Sequence, residues 1–116
     1  MIPTQVTVIA AHTRSYEDPI RVTAGETVTI TRRDLWDDQH LWLWCIAPSG
    51  KAGWVPAAYL DSEGPTATIS RDYSALELTV TEGETVTRYE TQSGWAWCEN
   101  ARGEAGWVPV TCLPSD

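Results

Sequence analysis

The five residues Ala52–Pro56 read Ala-Gly-Trp-Val-Pro, and the same five residues recur at Ala105–Pro109. Upstream, the string Gly-Glu-Thr-Val-Thr occupies both 25–29 and 83–87. The spacing of the two copies changes only between matched strings, which is how insertions in loops behave. The chain is therefore predicted to contain two tandem copies of one structural unit.

The joint between the copies is predicted at residues 61–65, Asp-Ser-Glu-Gly-Pro, because this stretch is polar and ends in a Gly-Pro turn signal. We therefore expect two domains, 1–62 and 63–116. Residues 1–62 carry five basic and seven acidic residues, whereas residues 63–116 carry three and nine. The negative charge is thus concentrated in the second copy.

Each copy has the pattern of short β-strands. Residues 5–9 and 27–31 alternate with period two and are rich in β-branched side chains. The strings Trp-Leu-Trp-Cys at 42–45 and Trp-Ala-Trp-Cys at 95–98 predict aromatic strands, each followed by a turn and the repeated Gly-Trp-Val-Pro strand. No stretch shows a helical stripe. About five strands per copy favour a small closed or nearly closed barrel, which removes exposed strand edges.

Composition excludes several classes of protein. The chain has 116 residues and a formal net charge of −8, which disfavours a nucleic-acid partner. No apolar run approaches the roughly 20 residues of a membrane span, and residues 1–5 lack the features of a secretory signal. With three cysteines, no metal-type Cys spacing and no such signal, a cytoplasmic location with reduced thiols is expected.

The order of these motifs resembles the Src-homology-3 (SH3) family, in particular its variant bacterial members. The resemblance extends over nearly the whole chain, twice, and implies an all-β fold of two tandem, small, five-stranded SH3-like barrels. The positions that carry it are Tyr16, residues 25–26, Trp42, residues 53–56 and Tyr59 in the first copy, and residues 72–73, residues 83–84, Trp95 and residues 106–109 in the second.

The resemblance also implies a function, that of a non-enzymatic module that binds a protein or peptide through an aromatic groove. Aromatic ridges form shallow grooves that suit a polyproline II strand. Flanking carboxylates favour a basic residue in the ligand, so a Pro-containing and basic peptide is predicted. The resemblance implies that the ligand contacts Tyr16, Trp42, Trp54, Pro56 and Tyr59, and the flanking carboxylates add Glu17, Asp18, Asp37 and Asp38 to the predicted peptide-binding set.

The second copy departs further from the family pattern, because Cys112 stands where the last tyrosine is expected. In both copies an arginine, Arg14 or Arg71, replaces the first tyrosine of the opening motif. Because Cys112 removes a ring and its hydroxyl from the groove, the second copy is expected to bind more weakly or to serve in packing. Its secondary groove comprises Tyr73, Trp95, Trp107 and Pro109.

The alternative prediction is a structural or self-association protein whose Trp faces are buried between barrels or subunits. Trp42 and Tyr59 are expected to be exposed, whereas Trp54 and Trp107 fit either an exposed or an interface position. Trp36 has no counterpart in the second copy and is either a lid over the groove or an anchor for its loop.

Strand alternation predicts which side chains face the core. If Trp42 faces outward, Cys45 faces inward, and Cys98 follows the same rule in the second copy. A free cysteine behaves as a small hydrophobe, so both thiols are interpreted as core residues. Val55 and Val108 are expected to point inward as well.

Catalysis and metal binding are poorly supported by the sequence. A nucleophilic site needs a thiol or hydroxyl beside a histidine, and His12 and His40 are the only histidines. Cys112 is the one candidate for an accessible thiol. A metal site from Asp37, Asp38 and His40 is conceivable, but solvated loops of this kind are the commoner case, so no cofactor and no metal are predicted.

Overall fold

A computed structural model of the chain describes residues 3–36 and 39–115. Within these ranges the structure holds β-strands and two short 3₁₀ helices, which confirms the all-β prediction. No helix among the described residues has the length and apolar character needed to cross a membrane. The elements are β1 (Thr4–Thr7), β2 (Arg21–Val22), β3 (Thr27–Trp36), β4 (His40–Ile46), β5 (Ala52–Pro56), η1 (Ala57–Tyr59), β6 (Thr66–Thr68), β7 (Tyr73–Ser74), β8 (Thr85–Gln92), β9 (Trp95–Glu99), β10 (Ala105–Pro109) and η2 (Val110–Cys112).

The chain forms two compact units. The continuous unit is Asp18–Ala75, and the discontinuous unit joins Met1–Glu17 to Leu76–Asp116. The predicted boundary at 62/63 separates the two sequence repeats, so repeats and compact units divide the chain differently.

The continuous unit is built on an antiparallel sheet in the order β5-β4-β3-β6. Its centre is the long β3–β4 hairpin, with a bulge between Ile30 and Arg32. Strand β6, from the second repeat, pairs with β3, so that Thr68 lies opposite Thr27. Strands β2 and β7 form a separate antiparallel pair. A strand of the second repeat therefore completes the sheet of the first.

The discontinuous unit mirrors this arrangement in a sheet of order β1-β8-β9-β10. Strand β1, from the first repeat, pairs with β8, and Thr7 lies opposite Thr85. A bulge between Arg88 and Glu90 repeats the irregularity of β3. Each sheet thus takes one strand from the other repeat.

Two features explain why each sheet takes a strand from the other repeat. The receiving strands have identical edges, and the connection between the two repeats is short. The receiving strands β3 and β8 begin within the same string, Gly-Glu-Thr-Val-Thr, so their edges alone do not discriminate between β1 and β6. After η1 the chain turns back at once: Leu60 bridges Ile69, and the Asp61 N–H donates to the Thr68 carbonyl at 3.2 Å. The short connection therefore holds β6 in the continuous unit.

The repeated glycine of Ala-Gly-Trp-Val-Pro is required by close packing. A Cβ atom at Gly106 would lie 2.7 Å from both the carbonyl carbon of Glu77 and the amide nitrogen of Leu78. At Gly53 it would lie 2.8 Å from Cγ2 of Ile20. Because backbone atoms can move aside less readily than a side-chain methyl group, Gly106 tolerates a larger residue less well than Gly53 does.

Alternation along β4, β5, β9 and β10 separates a buried inner face from an aromatic outer face. The predicted inward orientation of two cysteines and two valines is confirmed, because all four are fully buried. Cys112 is also buried, with its Sγ atom 3.9 Å from the Ala11 carbonyl oxygen, so the expectation of an accessible thiol there is wrong. The fully buried counterparts in the two units are Leu43 and Ala96, Cys45 and Cys98, and Val55 and Val108.

Candidate functional site

Aromatic side chains share the outer face of the continuous unit. Across the β4–β5 ladder, Trp42 lies opposite Pro56 and Trp44 lies opposite Trp54. Residues directly opposite each other on neighbouring strands project from the same face, and Leu43 between the two tryptophans faces the core. The alternation of β4 and β5 therefore collects three indole rings and a proline on one surface.

Trp36 extends this surface by folding over Trp42. Their ring centroids are 4.5 Å apart at an interplanar angle of 29°, a stacked arrangement, and Trp36 meets the edge of Trp54 at 5.9 Å. The Trp36 indole N–H donates to Oδ2 of Asp34 at 2.7 Å, which fixes the ring. Because of this cover Trp42 is only 4 % exposed, so the expectation that it is exposed is wrong.

Two polar atoms of β4 are buried without a hydrogen-bond partner among residues 3–36 and 39–115. They are Nε1 of Trp42 and Nδ1 of His40. A buried donor left unpaired costs about 1–3 kcal/mol, so such atoms are rare and call for an explanation. The Trp42 indole N–H is therefore a buried hydrogen-bond donor with no acceptor among the described residues.

Tyr59 lies in η1, directly after the strand that carries Pro56. Its ring meets that of Tyr73 edge-to-face at 5.4 Å, and the Arg71 guanidinium lies 4.7 Å from its centroid. Tyr73 donates its hydroxyl to the Trp54 carbonyl at 2.7 Å. With these neighbours Tyr59 is 4 % exposed, and the expectation that it is exposed is wrong as well.

These contacts define the Trp42 site as Trp42, Pro56, Tyr59 and Tyr73, with Trp36 stacked on Trp42. Three of its four members belong to the predicted peptide-binding set. The fourth, Tyr73, comes from the predicted secondary groove, because β6 and β7 of the second repeat lie in the continuous unit.

Tyr16 does not join this site. It belongs to the discontinuous unit and is 48 % exposed. The position equivalent to Tyr73 is taken there by His12, since His12 pairs with Val80 as Tyr73 pairs with Val22. Four more residues separate the first strand from the arginine of the opening motif in the first repeat, which shifts the spatial equivalence away from Tyr16.

The carboxylates predicted to flank the groove do not lie together in one unit. Glu17 lies in the discontinuous unit, 3.9 Å from Arg14, and Asp18 in the continuous unit forms an exposed ion pair with Lys51 at 2.8 Å. Asp37 and Asp38 lie outside the described residues.

The secondary groove keeps three of its predicted members in the discontinuous unit. Trp95 lies opposite Pro109 across the β9–β10 ladder, and Trp107 is 7 % exposed. The ring of His12, not that of Tyr73, meets Trp95, with centroids 5.6 Å apart. Nε2 of His12 lies 2.8 Å from the Glu77 carboxylate.

Arg32 is a feature of the outer face that the sequence analysis missed. Its guanidinium lies 5.1 Å from the Trp44 ring centroid and 5.2 Å from that of Trp54, within cation–π distance of both. The alternation of β4 did indicate that Trp44 projects from the same face as Trp42. The bulge between Ile30 and Arg32 hid which residue of β3 would face Trp44.

The Trp42 site offers groups suited to binding, and the core thiol of each unit is poorly reactive. Burial raises the pKa of Cys45 and of Cys98 to about 11, which keeps both thiols protonated and poorly nucleophilic at neutral pH. Among the described residues no group of three or more His, Cys, Asp or Glu side chains is placed to hold a metal ion.

Comparison with known proteins supplies the family. A family model described as "Variant SH3 domain" matches residues 6–62 and again residues 66–114. The "SH3 and PX domain-containing protein 2A" of Danio rerio is 35% identical over 66 residues, which are 57% of this chain and 6% of that protein. The "Guanine nucleotide exchange factor DBS" of Homo sapiens is 35% identical over 60 residues, 52% of this chain and 5% of that protein. The chain thus spans only a small fraction of these relatives, and no solved structure gives a significant match.

Proposed function

The chain belongs to the variant SH3 domain family, in two tandem copies, and on that premise we propose that it binds a Pro-containing, basic peptide at the Trp42 site. SH3 domains are generally protein-interaction modules without catalytic activity of their own, and they are usually cytoplasmic. The proposed site replaces Tyr16 with Tyr73 and assigns Trp36 the role of a displaceable lid.

The observation that carries this proposal is the buried Trp42 N–H without a partner among the described residues. Folding alone gains nothing from such a donor, since it loses its hydrogen bond to water. A peptide that displaces Trp36 offers a carbonyl oxygen to this N–H and an apolar face to the exposed indole. Proline-rich chains suit this role because their carbonyls are not engaged in internal hydrogen bonds.

A carboxylate beside Trp42 supports the preference for a basic ligand. Asp34 lies directly opposite Trp42 across the β3–β4 ladder and holds the Trp36 N–H. When Trp36 leaves, this carboxylate loses its donor and can accept one from an arginine or lysine of the peptide. The neighbouring basic groups of β3 have contacts of their own, Arg32 with two indole rings and Arg33 with Glu63 at 3.2 Å.

A structural role is the second candidate, favoured by the burial of the site. Trp42, Pro56, Tyr59 and Tyr73 are all buried in this conformation, as the rings of a packing interface would be. The two functions differ in what the Trp42 N–H does: a binding site uses it, whereas a scaffold does not.

A peptide array probed with the native protein and with Trp42→Phe separates the two functions. The phenyl ring keeps the apolar contact and removes the N–H, so we expect binding of Pro-containing basic peptides to weaken about tenfold, as for the loss of one good hydrogen bond. The matched control is Trp95→Phe, the equivalent change in the discontinuous unit, which should leave those peptides bound. If no peptide binds the native protein, or if Trp42→Phe retains every peptide, the binding function is wrong and the structural role stands.

A further inference from the structure

The two units carry the same pair of tryptophans on their outer faces. In the continuous unit Trp44 and Trp54 lie opposite each other, edge-to-face, with centroids 5.2 Å apart at 77°. In the discontinuous unit Trp97 and Trp107 repeat this geometry at 5.2 Å and 75°. The aromatic platform is therefore built twice from the repeated sequence.

The residue that faces each platform has opposite charge in the two units. Arg32 lies opposite Trp44 across the β3–β4 ladder, and Glu90 lies opposite Trp97 across the β8–β9 ladder. Both residues directly follow the bulge of their strand, so they occupy equivalent positions. In the continuous unit the chain supplies its own guanidinium to the indole rings, and in the discontinuous unit it supplies a carboxylate.

A pocket of about 420 Å³ lies at this position in the discontinuous unit. Two of its five lining side chains are carboxylates, two are aromatic, and none of the five is basic. Glu99 accepts the hydroxyl of Tyr89 at 3.1 Å, and this hydrogen bond and the negative charge of Glu99 raise the pKa of Tyr89. The hydrogen bond from the phenol orients the Glu99 carboxylate. The lining residues are Tyr89, Glu90, Trp97, Glu99 and Ala105.

The geometry points to this pocket as a binding site for an arginine side chain of a partner protein. Arg32 in the sister unit shows that a guanidinium fits against this pair of rings. Two carboxylates on the pocket wall supply the acceptors that a planar guanidinium binds, and an indole face adds cation–π attraction. The discontinuous unit contains eight acidic and three basic residues, so its charge also attracts a basic partner.

The pocket is independent of the Trp42 site. It lies in the other unit, uses Trp97 instead of the groove tryptophan Trp95, and needs no proline in the ligand. Arginine is preferred to lysine, because the planar guanidinium stacks on an aromatic ring and pairs with carboxylates through several N–H groups at once.

The test is an NMR titration of the full chain with the peptide amide Gly-Gly-Arg-Gly-Gly, followed through the tryptophan indole N–H resonances. We expect the Trp97 resonance to shift saturably. The same peptide with citrulline, a neutral isostere of arginine, should bind about tenfold more weakly, as should the lysine peptide. Glu90→Gln should weaken binding of the arginine peptide about tenfold, and Glu90→Arg, which copies the sister unit, should abolish it.

Trp42→Phe separates this site from the proposed peptide groove, because the Trp97 resonance of that variant should shift over the same range of peptide concentration as in the native protein. The inference is overturned if the arginine peptide produces no saturable shift, or if the citrulline or lysine peptide binds as tightly as the arginine peptide. It is equally overturned if both Glu90 variants, with native thermal unfolding, bind the peptide as the native protein does.

Discussion

Cys45 and Cys98 show how much a single position can be dictated by strand alternation. Each lies three residues after an outward tryptophan, each is fully buried, and burial raises the pKa of each thiol to about 11, against 9.0 for an ordinary thiol. A thiolate at either position would be an unpaired charge in an apolar core. The protein can therefore release these protons only at a higher pH than the unfolded chain does.

A fall in stability between about pH 9 and pH 11 follows from this difference. As the pH rises through this range the unfolded chain loses its thiol protons first, so each buried thiol lowers the unfolding free energy by about 1.4 kcal/mol per pH unit. Urea unfolding at a series of pH values measures the slope. The double variant Cys45→Ala with Cys98→Ala should flatten it, and an unchanged slope in that variant would show that other groups cause the loss.

The environment of Trp42 could not be predicted from the sequence. Its outward orientation follows from alternation, but its burial depends on Trp36, which lies at the far end of β3 and reaches back across the hairpin. Among the described residues the buried indole N–H has no acceptor, whereas the same ring in open solution would donate to water.

At the scale of the element, the β3–β4 hairpin carries both Trp42, at the centre of the proposed binding face, and Trp36, the proposed lid. The first repeat has a longer hairpin than the second, and the extra length brings Trp36 over Trp42 while Asp34 holds its N–H. A stacked aromatic pair contributes roughly 0.5–1.5 kcal/mol beyond the area it buries. A ligand at the Trp42 site must first overcome that contribution.

Removal of the lid should therefore strengthen peptide binding. Trp36→Ala is expected to raise the affinity for Pro-containing basic peptides about two- to tenfold, the range that corresponds to the stacking contribution. Tryptophan fluorescence titration measures the affinity. Leu35→Ala is the matched control, because Leu35 is 55 % exposed on the same strand and should change nothing. Weaker binding by Trp36→Ala would show that Trp36 is part of the docking surface and not a cover.

At the scale of the whole molecule, the exchange of first strands determines which residues meet. The continuous unit runs from the second half of one repeat's opening loop through η1 and then takes β6 and β7 from the next repeat. Tyr73 and Arg71 reach Tyr59 only through this exchange. The order of elements in the continuous unit is a circular permutation of the order within one repeat.

Two excised segments test this arrangement, because both contain β2 to β5 and η1. Residues 18–75 should unfold cooperatively and be more stable than residues 1–62 by at least about 1 kcal/mol, since only the former keep the Tyr73 and Arg71 contacts with Tyr59. Urea denaturation of each segment gives the comparison. Greater stability of 1–62 would mean that β1 is the better partner of β3 and that the exchange is not intrinsic to the strands.

Part of this protein was determined by its sequence alone. The repeated strings fixed the all-β class, the two copies, the aromatic outer faces and the inward cysteines and valines, because side-chain alternation is a property of each strand by itself. Tertiary structure alone decided that Tyr73 and not Tyr16 contacts Tyr59, that Trp36 stacks on Trp42, and that Arg32 faces Trp44 while Glu90 faces Trp97. The physical reason is that β3 and β8 have the same edge sequence and could pair with either β1 or β6. Chain connectivity, the bulges and side-chain packing therefore determine which strands and side chains meet.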